Sequence, residues 1–267
     1  MKHILYLTLL LLPYCKVCSQ ENLTTQEVYI KVGFSRVGIT DHRLSAITHR
    51  SWAPRYGLSH TKTTPHSLST FSMLFSIANS STQGPLSIMS IMPNINYSYQ
   101  RKVREGLWLG GYIDHMTLLN FPKTSSGLMN NNPISYHIAQ SVGPRVTYTR
   151  GLTLGGNELL LQSSAQTSLL SYMIQPAYGH PYPTQFLKEE VFSPDRSGMA
   201  WPLIKSGKLA TVNQVFSFRI ELSIAYMIND KLKIGIDYQG NMTHANTRGK
   251  SLWFSNHDYL FTAAILY

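Results

Sequence analysis

This chain is short of cysteine, of charge and of long apolar runs. Its 267 residues include two cysteines, Cys15 and Cys18, both within the first nineteen positions. Once that segment is removed, no disulfide framework, thiolate metal site or cysteine nucleophile can form. Charged residues are 13% of the chain, against the roughly 25% of an average soluble domain. Serine, threonine, asparagine, glutamine and glycine supply the polarity instead. Beyond the first nineteen residues no segment approaches the roughly 18 consecutive apolar residues of a spanning helix. If the chain enters a membrane, it does so as strands.

Motifs that carry chemistry are scarce too. The ten histidines lack HxH or HxxxH spacing, so no metal site is assigned. There is no GxSxG and no HExxH, and His66, His115, His137, His180 and His257 sit in no catalytic pattern. Asp114 and His115 are neighbours in an alternating segment, which puts them on opposite faces and prevents them from acting as an orienter and base. No catalytic or cofactor-binding residue is assigned, and no cofactor is expected.

What is present begins at the N-terminus. Met1 to Ser19, MKHILYLTLLLLPYCKVCS, has a basic start at Lys2, an apolar run from Ile4 to Leu12 and a Val17-x-Ser19 pattern. The run is too short to span a bilayer as a helix, so it reads as a cleaved export signal ahead of a single domain, 20–267. Removal takes Lys2 and Lys16 but no acid, so 23 basic residues become 21 against 13 acidic ones, a net of +8. For an exported chain that surplus points to lipopolysaccharide, glycans or lipid head groups, not to nucleic acid.

The remainder alternates. In VFSFRIELSIAYMIND, Val215 to Asp230, Phe216, Phe218, Ile220, Leu222, Ile224, Tyr226 and Ile228 occupy every second position, with Arg219 and Glu221 between them. The period of two predicts a strand, with either a core or lipid on its apolar side. Similar segments predict strands at about 28–38, 86–102, 107–121, 138–150, 158–174, 214–228, 232–242 and 257–267. On this count 43–80 is a long first loop, although Phe71, Met73, Phe75 and Ile77 alternate and could add a hairpin, for ten strands in place of eight. Short links at 104–106, 151–157 and 229–231 alternate with long ones at 122–136, 176–213 and 244–256. Sorting of this kind is the mark of a transmembrane barrel, with turns on the periplasmic side and loops outside.

In its signal, its sorted strand pattern and its terminal HDYLFTAAILY, the chain resembles bacterial outer-membrane β-barrel proteins. The resemblance implies an all-β, antiparallel up-and-down barrel of eight to ten strands in the outer membrane of a Gram-negative envelope. It also implies that the barrel-assembly machinery reads Phe261, Ile265 and Tyr267 in the last strand. Lys31, Asp114, Glu158, Arg145, Arg219, Glu221, Lys233 and Asp237 then point into the lumen as a charge network, with Lys233 and Asp237 the nearest candidates to meet Arg219 and Glu221 across the 229–231 turn. The resulting expectation is a non-enzymatic barrel with a largely plugged lumen and a structural, surface-binding or accessory role beside other envelope proteins. The alternatives are a narrow diffusion or uptake channel and a lipid- or lipopolysaccharide-modifying enzyme. The aromatic-rich stretch 177–213 is either a lid or a recognition surface.

Overall fold

A computed structural model describes residues 24–41, 48–81, 86–124, 127–128, 135–154, 157–174, 207–247 and 250–267. The export signal assigned to 1–19 and most of the stretch 177–213 lie outside the described residues. The described chain is all β. Its segments are β1 Thr25–Asp41, β2 His49–Thr63, β3 Ser67–Ser81, β4 Leu86–Ile91, β5 Asn94–Arg104, β6 Leu107–Thr124, β7 Gly127–Leu128, β8 Ser135–Leu154, β9 Asn157–Thr167, β10 Leu170–Ile174, β11 Lys208–Thr211, β12 Val215–Asn229, β13 Leu232–Thr247 and β14 Lys250–Leu266.

These segments make ten staves of one closed sheet. β4 and β5 are one stave interrupted at Met92-Pro93, where proline has no N–H to give the ladder; Met92 still exchanges backbone hydrogen bonds with Ser76 of β3 at 2.9 and 3.3 Å. β9 and β10 form another, stepping at Ser168-Leu169, and β11 and β12 a third. β7 is a two-residue appendage on β6. Every pairing is antiparallel, and β1 pairs with β14, so the first and last staves close the ring.

The closure can be followed residue by residue. From Val37 the cross-strand partners run through Asn256, Asn241, Arg219, Gln166, Arg145, Gly110, Gln100, Leu68 and Thr63, and then return to β1 at Thr25. One circuit therefore descends twelve residues, from 37 to 25, along β1. A stagger of that size requires the staves to tilt against the barrel axis, as closed barrels do.

Of the two strand counts left open, the structure has ten: residues 49–63 and 67–81, nearly all within the long first loop of the eight-strand count, are the strands β2 and β3. Their signal was weak because β2 carries Pro54 and Gly57 and places His60 and Lys62 on its outward face. The link expected at 244–256 also disappears, since β13 runs to Thr247 and β14 starts at Lys250. The other links sort only in part, since β3 and β4, at the loop end, are separated by just 82–85. At one end, here the turn end, β2 to β3, β5 to β6, β8 to β9 and β12 to β13 join within a few residues. Gly106 makes the second of these possible by adopting φ 69°, a conformation that a side chain disfavours. At the opposite, loop end lies the longest connection, 175–207.

The sides of the wall answer the question posed by VFSFRIELSIAYMIND. Ile220, Leu222, Ile224 and Ile228 face outward, while Arg219 is buried in the lumen. The same outward band continues in Val28, Ile30, Val32 and Phe34 on β1, Phe71, Met73, Phe75 and Ile77 on β3, and Ile234 and Ile236 on β13. A continuous belt of apolar side chains that no protein covers is a surface for hydrocarbon. Toward the loop end the lumen itself turns apolar, with Val37, Ile39, Ala53, Leu118, Val215, Leu252 and Phe254 packed in one buried cluster.

Candidate functional site in the lumen

Between the apolar cluster and the turn end, the period-two geometry sends charged side chains inward from many staves. Arg219 and Glu221, two residues apart on β12, emerge on the same face. The Arg219 guanidinium crosses to β6 and β5: its Nη2 lies 2.9 Å from Asp114 Oδ1 and donates to Asn94 Oδ1 at 3.0 Å. Its Nε donates to Asn241 on the adjacent stave. Asp114 also accepts from the Nδ2 groups of Asn94 and Asn96, each at 3.1 Å to Oδ1.

Glu221 is held from the other direction. Arg145 Nη2 on β8 approaches its Oε2 to 2.5 Å, and Ser164 Oγ on β9 donates to the same oxygen at 3.0 Å. Arg145 spends its second terminal nitrogen on Gln166 Oε1 at 2.6 Å. Arg219 Nη1 and Glu221 Oε1 stand 4.0 Å apart, which joins the two pairs into one cluster.

Three further pairs bridge over one intervening stave. Lys31 Nζ on β1 meets Asp237 Oδ2 on β13 at 2.7 Å, and Lys233 Nζ on β13 meets both Glu27 oxygens on β1 at 2.7 and 2.8 Å. Tyr29 donates its hydroxyl to Glu27 and lays its ring 5.0 Å below Lys233 Nζ. Arg55 Nε on β2 lies 3.2 Å from Asp258 Oδ2 on β14, whose other oxygen accepts from Asn256 Nδ2 at 2.8 Å. Among the described residues five cations thus face five carboxylates. Lys233 and Asp258 are 2% and 0% exposed. Charges so removed from water are tolerable only when paired and hydrogen-bonded.

Of the residues expected in this network, the structure brings Lys31, Asp114, Arg145, Arg219, Glu221, Lys233 and Asp237 into ion pairs, but with different partners. Arg219 and Glu221 reach across the lumen to Asp114 and Arg145, while Lys233 and Asp237 turn to β1. The reason is register. Arg219 and Glu221 lie opposite Asn241 and Gln239, so Asp237 and Lys233 fall farther down the hairpin. Glu158 does not join: it is exposed beside the 155–156 link, opposite Thr153, where water reaches it. Glu27, Arg55 and Asp258 are members that sequence reasoning passed over. Glu27 and Asp258 share the inward parity of Lys31 and Leu260, which was a usable signal; Arg55 was hidden in the supposed loop. Phe261, Ile265 and Tyr267 project outward from β14. Asp114 and His115 do diverge, Asp114 inward and His115 to Thr117 Oγ1 at 3.0 Å on the outer side.

Within the network is a polar cavity of about 50 Å³ whose walls include Lys31, Ser72, Asn96, Arg145, Glu221 and Gln239. That is room for water and far below the roughly 300–1,000 Å³ of a small-molecule site. Among the described residues no group of three or more histidine, cysteine or acidic side chains could hold a metal ion.

An apolar outer belt, a paired polar lumen and end-to-end closure together define a transmembrane antiparallel β-barrel. No family model and no curated protein matches the chain. Solved structures similar to it include the outer-membrane protease OmpT from Escherichia coli, at 7% identity over 96% of this chain and 99% of that one, TM-score 0.44. The translocator domain of the autotransporter NalP from Neisseria meningitidis is similar at 8% identity, 92% and 90% coverage, TM-score 0.39. The attachment invasion locus protein Ail of Yersinia pestis, in complex with a heparin analogue, is similar at 5% identity, 91% and 99% coverage, TM-score 0.37. A protease, a translocator and an attachment protein share no single activity.

Proposed function

We propose that this protein is a non-conducting, non-enzymatic barrel of the bacterial outer membrane, exported by a cleaved signal. In this reading its interior serves stability and its loop end serves surface binding or an envelope complex. The observation that carries the reading is the reach of Arg219 from β12 to Asp114 on β6 and Asn94 on β5, which places a fixed guanidinium across the lumen. The apolar cluster above it supports a lumen without the continuous water column that ions need. The partners are outer-membrane lipid and lipopolysaccharide around the belt, and the assembly machinery at Phe261, Ile265 and Tyr267.

Purified protein inserted into planar bilayers tests this directly, and the expected record is flat. Steady unitary steps, with a reversal potential that moves in Glu221→Gln, would instead establish the narrow channel. The polar cavity beside Lys31 and Arg145 is the one feature that favours that second reading.

A further inference from the structure

Where the hydrocarbon belt ends toward the loop end, the outer face of β2, β1, β14 and β13 changes character. Phe34 closes the belt on β1, and the next outward residue is Arg36, exposed, with Trp52 opposite it on β2 and His257 on β14. Two positions farther on, exposed Arg50 lies opposite Gly38. The two arginines therefore stand on one face at diagonal positions, within reach of a single anion. Among the described residues neither has a carboxylate partner.

A row of rings starts level with Arg36, at Trp52, and runs below it to Tyr259 and Tyr238. Trp52 and Tyr259 have centroids 6.1 Å apart, and Tyr259 and Tyr238 are 5.5 Å apart. Tyr238 leans toward the loop end over Gly240, which has no side chain to obstruct it, and its hydroxyl lies 2.7 Å from His257 Nδ1 in a hydrogen bond. Trp52 and Tyr259 are 61% and 48% exposed on the outer wall. Aromatic rings with one apolar side and one polar tip mark the level at which hydrocarbon gives way to head groups.

We propose that Arg36, Arg50 and His257, beside Trp52 and above Tyr259 and Tyr238, form a site for the phosphorylated head group of an outer-leaflet lipid. The phosphate is taken by the two guanidiniums, for which planar anion recognition is the natural task. The imidazole, fixed by Tyr238, faces the same head group, and the acyl chains lie along the belt below Phe34. A lipid fits better than free phosphate because the cations and the apolar wall are continuous on one face. This rests on the outer-membrane reading, which sets the loop end in the outer leaflet.

The test is a titration of the folded full-length protein in neutral detergent with bisphosphorylated lipid A, its dephosphorylated form and inorganic phosphate, with bound lipid counted by native mass spectrometry. Wild type should prefer the phosphorylated lipid. Arg36→Gln/Arg50→Gln should lose about thirtyfold in affinity, at roughly 1 kcal/mol for each basic residue near a charged lipid surface. The turn-end double Lys62→Gln/Arg101→Gln should bind as wild type does. Equal binding of the two lipids, an equal loss in the control, or displacement by millimolar inorganic phosphate would overturn the site. Protein that neither enters vesicles nor migrates faster unheated than boiled would overturn the barrel reading itself; folded, inserted protein indifferent to lipid phosphate would overturn only the site.

Discussion

The two halves of the barrel use one alternation for opposite purposes. On β1, residues 28–34 put Val28, Ile30, Val32 and Phe34 outside and Lys31 inside; beyond Phe34 the outward residues become Arg36, Gly38 and Thr40, and the inward ones Ser35, Val37 and Ile39. β13 repeats the change, from Ile234 and Ile236 outside with Lys233 and Asp237 inside to His244 and Asn246 outside with Ala245 inside. On these two staves the turn-side stretch sets apolar residues outside a polar lumen, and the loop-side stretch sets polar residues outside an apolar cluster. A strand has no intrinsic inside, so its faces follow whichever solvent surrounds it at that height.

Five substitutions probe that contrast, each read as unfolding free energy in detergent or lipid. The largest effect is expected in the ionic half. Arg219→Gln leaves Asp114 buried without its cation and should cost about 3–5 kcal/mol, whereas Arg219→Gln/Asp114→Asn, which removes both charges, should be milder. A single variant as stable as the double would mean that water already solvates Asp114. In the apolar half, Leu118→Ala removes a fully buried side chain from the loop-end cluster and should cost about 2–5 kcal/mol. A cost below about 1 kcal/mol there would indicate a loose, wet interior. Outside, Ile220→Arg places a charge within the belt and should cost about 2–4 kcal/mol, while Asn246→Arg, on the outer face near the loop end, should cost about 0–1 kcal/mol. Similar penalties for these two outer sites would erase the boundary drawn at Phe34.

The fold was legible wherever one face of a strand was uniformly apolar. β12, β13 and β14 declare themselves through Ile220 to Ile228, Ile234 to Tyr238 and Tyr259 to Ile265. β2 did not, because Arg50, Trp52, Pro54, Tyr56 and Leu58 mix chemistries along its outer face as it leaves the belt. The inward charges could be read from parity alone, since parity decides which face a residue occupies. Their partners could not, because partners depend on stagger around the ring and on side-chain reach across it, and neither is local. Glu158 shows the remaining gap: its parity is inward, but its height puts it in water.

The seam between β1 and β14 has a consequence for how the molecule is made. It pairs Glu27 with Leu266 and Asp41 with Leu252, so at its widest it joins residues 239 positions apart, from 27 to 266. Contacts of such separation form late, since loop closure has to precede any return from pairing. Until then both margins of the sheet are bare, with rows of unanswered N–H and C=O groups able to capture a neighbouring chain. Docking of β14 against β1 is therefore the step that turns a sticky ribbon into a sealed tube. Truncation inside β14 should yield aggregates, not a smaller barrel.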